Sequence, residues 1–382
     1  MILIKNIEVY APEYKGKKDI FISGGKIALV EENINFDNKK IKIIDGSNKK
    51  LTPGFIDQHV HITGGGGEGS FKTRAPEITL SKLTTGGITT VVGLLGTDGT
   101  TRSVENLVSK AKALKEEGIT VFAHTGSYEY PTVTITGSIK RDIAFIDEII
   151  GVKLALSDHR APNVSNLELQ RVASDARVAG MLSGKAGIVV LHMGDGKKGL
   201  KPVREILEET EIPMKTIRPT HVNRREELLV EAFDYAKAGG KIDLTCGMKD
   251  HLTPGKCIKM ALEENVPTEN ITISSDGYGS WSKYDEAGNL IKMGVSSVSS
   301  LHKEFKNMIN ELGFSIEDAL TYITSNVAKG LEVYPRKGYI GEGSDADLLL
   351  LDENLDIDTV IANGKVMIEN KEVLVYGSYE HI

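Results

Sequence analysis

From residue 53 onward the chain alternates apolar, β-rich runs with stretches whose apolar residues recur at helical spacing. The runs fall at 55–61, 88–95, 119–128, 152–157, 187–193, 215–221, 241–245 and 271–275, and helical spacing covers 103–117, 165–183, 200–209, 225–238 and 254–264. Strand-then-helix units repeated in this way predict a parallel sheet closed into a (β/α)8 TIM barrel. Residues 1–52 read differently, as short strands at 2–9, 19–23, 26–30 and 40–45 with Gly24-Gly25 as a turn and no helix. Helical patterns at 300–312 and 315–330 close the barrel. After Pro335 strands return at 338–340, 346–351, 357–362 and 365–369, with Asn363-Gly364 as a hairpin turn. The simplest architecture is α/β: a TIM barrel of residues 53–334 and a small β-sandwich domain built from both chain ends, 1–52 plus 335–382.

Composition narrows the class of partner. The 382 residues are 40% hydrophobic and 26% charged, enough for a large core. Net charge is −7 and the basic residues are dispersed, which argues against nucleic acid or an acidic membrane and for a small-molecule partner. Cys246 and Cys257 are too few for a disulfide framework or a thiolate zinc cluster, as in a reducing compartment. The start lacks the basic-then-apolar pattern of a leader, and no run of 18 apolar residues occurs, so the expected location is cytoplasmic.

In such a barrel chemistry collects at the C-terminal ends of the strands. The first run ends His59-Val60-His61, and side chains two apart on a strand share a face, so two imidazoles can meet one metal ion. That spacing also arises by chance and needs partners. The fourth run holds Lys153 among apolar residues, where a buried ammonium is costly unless paired or chemically changed; the ordinary alternative is a lysine reaching the surface. The fifth run ends at His192, the sixth at His221, and the eighth leads to Asp276. A single histidine at a strand end is ordinarily a satisfied core residue. Four histidines, a lysine and an aspartate on one rim point instead to a metal site. His124 and His159 lie near the rim as possible hydrogen-bond partners of ligands, whereas His251, His302 and His381 fall in loop, helix and tail.

The stretch Pro53-Gly54-Phe55-Ile56-Asp57-Gln58-His59-Val60-His61 resembles the signature of the amidohydrolase superfamily, and residues 338–348 resemble its return to the small β domain. The resemblance spans essentially the whole chain. It implies two zinc ions, one held by His59, His61 and Asp276 and the other by His192 and His221, bridged by Lys153 as a carboxylated lysine. Carbon dioxide would convert that isolated cation into an anion between two cations. Within the superfamily the chain resembles the isoaspartyl dipeptidases, through His61-Ile62-Thr63-Gly64-Gly65-Gly66-Gly67-Glu68, Tyr128, Ser157-Asp158-His159-Arg160, His221-Val222-Asn223-Arg224 and Asp276-Gly277-Tyr278-Gly279-Ser280.

This resemblance implies hydrolysis of β-aspartyl dipeptides, in which a metal-bridging hydroxide attacks the amide carbonyl. Asp276 would carry the proton to the leaving amine, and Tyr128 would donate to the oxyanion. The substrate bears a free α-ammonium and carboxylates, so its pocket needs both signs of charge. Glu68, assisted by Ser280, would receive the ammonium; Arg160 and Arg224 would receive carboxylates in either assignment; Gly66 and Thr97 are further contacts. The ordinary reading of each arginine is a surface salt bridge, and of Glu68 a solvated loop residue. The resemblance also implies a homo-oligomer, with an octamer among the forms it suggests. Two rivals are a cyclic-amide hydrolase acting on a dihydropyrimidine, hydantoin or dihydroorotate, and a non-catalytic barrel scaffold.

Overall fold

The computed structural model describes residues 1–36 and 38–380, so His381 lies outside the described residues. Strands β1 (Ile2–Tyr10), β2 (Tyr14–Ser23), β3 (Lys26–Glu31), β4 (Lys42–Asp45) and β5 (Lys50–Pro53) open the chain. Eight strands follow: β6 (Phe55–Val60), β7 (Ile88–Gly93), β8 (Thr120–Gly126), β9 (Ile149–Leu156), β10 (Ile188–Met193), β11 (Ile217–Thr220), β12 (Ile242–Thr245) and β13 (Ile271–Ser274). A hairpin of β14 (Ser280–Tyr284) and β15 (Leu290–Val295) comes next. The chain ends with β16 (Leu348–Leu351), β17 (Ile357–Ala362), β18 (Lys365–Glu369) and β19 (Glu372–Val373).

Strands β6 to β13 pair in sequence order, all parallel, and a parallel bridge between Val60 and Gly277 closes the ring, with His61 N–H donating to Gly277 O at 2.9 Å. The result is a (β/α)8 TIM barrel. Helices α1 (Leu80–Thr85), α2 (Val104–Glu117), α3 (Ile139–Phe145), α4 (Asn166–Ser183), α5 (Lys201–Glu209), α6 (Glu226–Lys237) and α7 (Pro254–Glu263) separate the strands. Both faces of a parallel sheet must be covered, and outward residues such as Val91, Val121, Leu154 and Leu191 share one core with Leu107 of α2 and Leu169 of α4. Local chemistry starts these helices where the polar pattern broke: Ser103 Oγ accepts from Asn106 N–H, and Ser165 with Glu168 forms a capping box.

Helices α8 (Ser300–Asn310), α9 (Ile316–Thr321) and α10 (Ser325–Gly330) complete the barrel. Inside, Ile56, Val92, Ile188 and Val190 pack against Val327, Ala328 and Leu331, which plugs the N-terminal end. Above the plug, Gln58 joins Arg218 and Asp243 through bonds of 2.9 and 2.6 Å. The opposite, C-terminal end is left for chemistry.

Strand β5 pairs antiparallel with β16, and this joins the two ends of the chain in one nine-stranded sheet, which curls over its own core of Ile4, Ile7, Ile20, Ile22, Leu348, Leu350 and Ile361 as the small β-sandwich. Buried Lys337 holds this unit to the barrel, lying 2.9 Å from Asp345, 2.6 Å from Asp347 and 2.5 Å from Thr120 Oγ1 at the start of β8.

Several elements differ from the sequence reading. Residues 338–340 form no strand; Ile340 is buried by the sandwich core while the backbone runs through turns and coil, with Gly338 at φ 70°. The helical pattern at 315–330 is broken at Thr324 (φ −131°, ψ −85°), giving α9 and α10. Helices α1 and α3 and the β14–β15 hairpin were not foreseen. Among the described residues, no helix is long and apolar enough to cross a membrane.

Candidate active site and metal centre

Each strand brings its polar side chain to the rim where the barrel rule places it, except that Lys153 stands within β9 and points into the barrel from below. His59, His221 and Asp276 each offer a ligand atom, and these lie within 4.8 Å of one another. Asp276 Oδ1 is buried without a hydrogen-bond donor, 3.2 Å from His61 Nε2 and 3.5 Å from His59 Nε2. Burial holds the His59, His192 and His221 imidazoles well below their ordinary 6.5, so they are neutral and keep a lone pair for a cation. Convergent lone pairs around an unsatisfied buried carboxylate oxygen fit a metal ion.

Thr245 Oγ1 lies 2.8 Å from His221 Nδ1, which fixes that ring and directs its other nitrogen toward the cluster. His221 (φ 62°) and Asp276 (φ 52°) both adopt left-handed backbone, as do Ser157 and Tyr278 on the same rim. Such strain persists where the surrounding structure over-determines it, and it concentrates at functional sites.

Lys153 is fully buried, 3.0 Å from His59 Nε2, and among the described residues no carboxylate lies within ion-pair distance of it. Burial lowers its pKa to about 7, so much of it is neutral amine near neutrality, the form that adds carbon dioxide. His192 is not yet arranged as a ligand. Its Nδ1 meets the Tyr128 hydroxyl at 2.6 Å and its Nε2 meets Asp158 Oδ2 at 3.0 Å, so ligation through Nδ1 requires Tyr128 to turn away. Burial alone would raise the Asp158 carboxyl, but hydrogen bonds from His192 and Arg160 hold it well below the usual carboxylate range.

The glycine loop carries Glu68 back over the rim. Its Oε1 accepts from Ser280 Oγ at 2.7 Å, from Thr97 Oγ1 at 3.4 Å and from Arg160 Nη1 at 3.4 Å. Arg160 also grips Asp158 through two bonds of 2.9 Å. Arg224 is anchored by Nε to Met193 O at 3.1 Å, while among the described residues its Nη atoms have no protein partner. Apart from His59, Lys153 and His221, which lie deeper, all the expected site residues line one cavity of about 100 Å³. A larger cavity of about 740 Å³ adjoins it, sharing Arg160, Arg224, Ser282 and Tyr284.

Of the remaining described histidines, His159 stays at the rim, its Nε2 4.0 Å from Asp158 Oδ1 and its side chain on the wall of the larger cavity. His124 is buried and, among the described residues, makes no hydrogen bond to a ligand candidate; His159 is exposed with its ring edge-on to Tyr284 at 5.0 Å. His251 faces Glu226 at 3.3 Å, and His302 bonds Leu355 O at 2.8 Å. Sequence reasoning assigned no role to Asp158, Thr245 or Arg102. Thr245 ends β12, so inspecting every strand end for hydroxyls would have found it.

Comparisons with known proteins accord with this geometry. The Amidohydrolase family profile matches residues 51–240 and 248–367. The crystal structure of a β-aspartyl dipeptidase from the thermophilic keratin-degrading Fervidobacterium islandicum AW-1, in complex with β-Asp-Leu dipeptide, is 44% identical, covers 97% of this chain and 98% of its own, and superposes with a TM-score of 0.92. The L-hydantoinase of Paenarthrobacter aurescens is 24% identical over 411 residues, 94% of this chain and 87% of that protein. A D-hydantoinase structure at 18% identity, covering 99% and 97% of the two chains with a TM-score of 0.69, shows the same fold. With the profile matching most of its length, the chain belongs to the amidohydrolase family.

Proposed function

We propose that this chain is a metal-dependent dipeptidase that hydrolyses β-aspartyl (isoaspartyl) dipeptides. The observation that carries the reading is the pairing of a nearly buried carboxylate, Glu68, with an Arg224 guanidinium whose Nη atoms are unpartnered among the described residues, in one cavity beside the histidine cluster. A substrate with an ammonium and carboxylates flanking an amide matches that two-signed pocket. The 44% identical relative crystallised with β-Asp-Leu supports the same reading.

His59, His61 and Asp276 would hold one zinc ion and His192 and His221 a second, with Lys153 carboxylated between them. Zinc held by these residues would supply acidification of a water molecule and polarisation of the amide carbonyl. The Asp276 carboxylate takes the proton from the water that adds to the carbonyl carbon, then gives it to the departing nitrogen as the C–N bond breaks, releasing aspartate and a free amino acid. Burial pushes the Tyr128 hydroxyl above its ordinary 10, so it stays protonated and able to donate to the oxyanion once released from His192. Glu68, held by Ser280, orients the ammonium, and Arg160 and Arg224 receive carboxylates. Gly66 and Thr97 border the same cavity.

A second reading is favoured by the L-hydantoinase similarity: hydrolysis of a cyclic amide. A largely neutral ring has no use for Glu68. Purified protein supplied with zinc and bicarbonate should hydrolyse β-Asp-Leu and leave α-Asp-Leu and hydantoin nearly untouched. Rapid turnover of hydantoin with none of β-Asp-Leu would overturn the dipeptidase assignment.

A further inference from the structure

We propose that Arg102 is a positioning residue that staples the two arms of the glycine loop together and so sets the place of Glu68. This rests on the reading of Glu68 as the ammonium acceptor. The loop leaves the barrel after His61 and doubles back at residues 73–75, where Ala75 N–H donates to Gly65 O at 2.8 Å, Gly67 N–H donates to Thr73 O at 3.3 Å, and Gly66 bridges Arg74. Arg102, from the turn before α2, is buried against this fold. Its Nη1 donates to Thr63 O, and its Nη2 donates to Gly65 O at 3.2 Å and to Ala75 O at 2.8 Å. One guanidinium therefore holds carbonyls on both arms.

A buried arginine ordinarily faces a carboxylate. Among the described residues Arg102 makes no ion pair, and nearby Asp98 is engaged by Arg74 at 3.3 Å. Backbone carbonyls replace the carboxylate, and the planar fork spreads its donors over separate nitrogens that reach three of them across both arms, whereas a lysine's three donors share one atom. The arms sit so close that a Cβ on Gly64 would run into the Ala75 carbonyl, and one on Gly66 into that of Thr73. Glu68 lies two residues past Gly66, and its bond to Ser280 depends on where the doubled loop ends. Arg102 borders the site cavity, yet both its Nη groups are spent on backbone carbonyls, so its contribution to the substrate passes through Glu68.

The test compares wild type, Arg102→Gln, Glu68→Gln and the double variant, using β-Asp-Leu and N-acetyl-β-Asp-Leu. Arg102→Gln should lose about tenfold in kcat/KM on the free-amino dipeptide, the scale of one charge-assisted hydrogen bond, mostly through KM. It should change the N-acetylated substrate little, and added to Glu68→Gln it should cost less than about twofold, since the two residues act as one unit. Hydrogen exchange, which needs no substrate, should show residues 62–76 exchanging faster while α2 and α4 are unchanged. Additive losses, or unaltered exchange in the loop, would overturn the proposal. Should Arg102→Gln fail to fold, Arg102→Lys carries the same measurements. A wild type that does not hydrolyse β-Asp-Leu would defeat the dipeptidase reading instead, and the exchange data would still decide the staple.

Discussion

Replacing Glu68 with Gln removes a charge and little else. In the structure Glu68 Oε1 is an acceptor for Ser280, Thr97 and Arg160, and a glutamine oxygen can accept from the same donors. Arg160 keeps its two 2.9 Å bonds to Asp158, so its place does not depend on Glu68. What disappears is the charge that the ammonium of the proposed substrate would meet. A hydrogen bond to a charged group contributes about 1.5–3 kcal/mol, and at about 1.4 kcal/mol per tenfold this is roughly a 10- to 150-fold loss of kcat/KM. The loss should fall on β-Asp-Leu and spare N-acetyl-β-Asp-Leu, which has no ammonium. Measuring kcat/KM for both substrates on both proteins isolates the effect. If the free-to-acetylated ratio is the same in Glu68→Gln as in wild type, Glu68 does not read the amino group.

Three other changes probe separate parts of the molecule. Asp276→Asn should lower kcat by about 10²- to 10⁴-fold, the range for a general acid–base group, with metal content retained by mass spectrometry; unchanged kcat would remove Asp276 as the proton carrier. Tyr128→Phe keeps the ring beside Arg160, 5.3 Å from its centroid, yet should cost about 10²- to 10³-fold in kcat with little change in KM. Lys337→Met leaves buried Asp347 without an ion-pair partner among the described residues, takes one of three cations from half-buried Asp345, and should destabilise the fold by about 3–5 kcal/mol in urea unfolding at pH 7. Burial would raise the Asp345 carboxyl, but the charges of Lys337 and Lys26 hold it below its ordinary 3.8. Its contribution is therefore complete above about pH 4 and lost as pH falls through the lower folded-state value, so the gap between wild type and variant should narrow in acid.

The barrel was legible because its strands are buried on both faces and read as apolar runs, and its rim because chemistry-bearing side chains end those runs. His59, His61, His221 and Asp276 could be gathered in this way before any coordinates. The pairing of Glu68 with Ser280 was legible only through resemblance, since 212 residues separate them. Other features left no signal. The β14–β15 hairpin buries none of its residues, its apolar Ile291, Met293 and Val295 staying exposed, and α1 and α3, at six and seven residues, are too short for helical periodicity to show. Arg102 sits among Thr100, Thr101 and Ser103 like any loop arginine, and its role exists only once the loop folds back. The engagement of both His192 nitrogens is likewise a property of geometry, set by Tyr128 and Asp158.

The most direct measurement is a zinc titration of chelator-stripped protein in bicarbonate buffer, following kcat/KM for β-Asp-Leu against metal bound per chain. Activity should be negligible without metal and should level off at two ions per chain. Full activity in the stripped protein, or zinc-loaded protein inert toward β-Asp-Leu, would contradict metal-dependent hydrolysis of β-aspartyl dipeptides at this site.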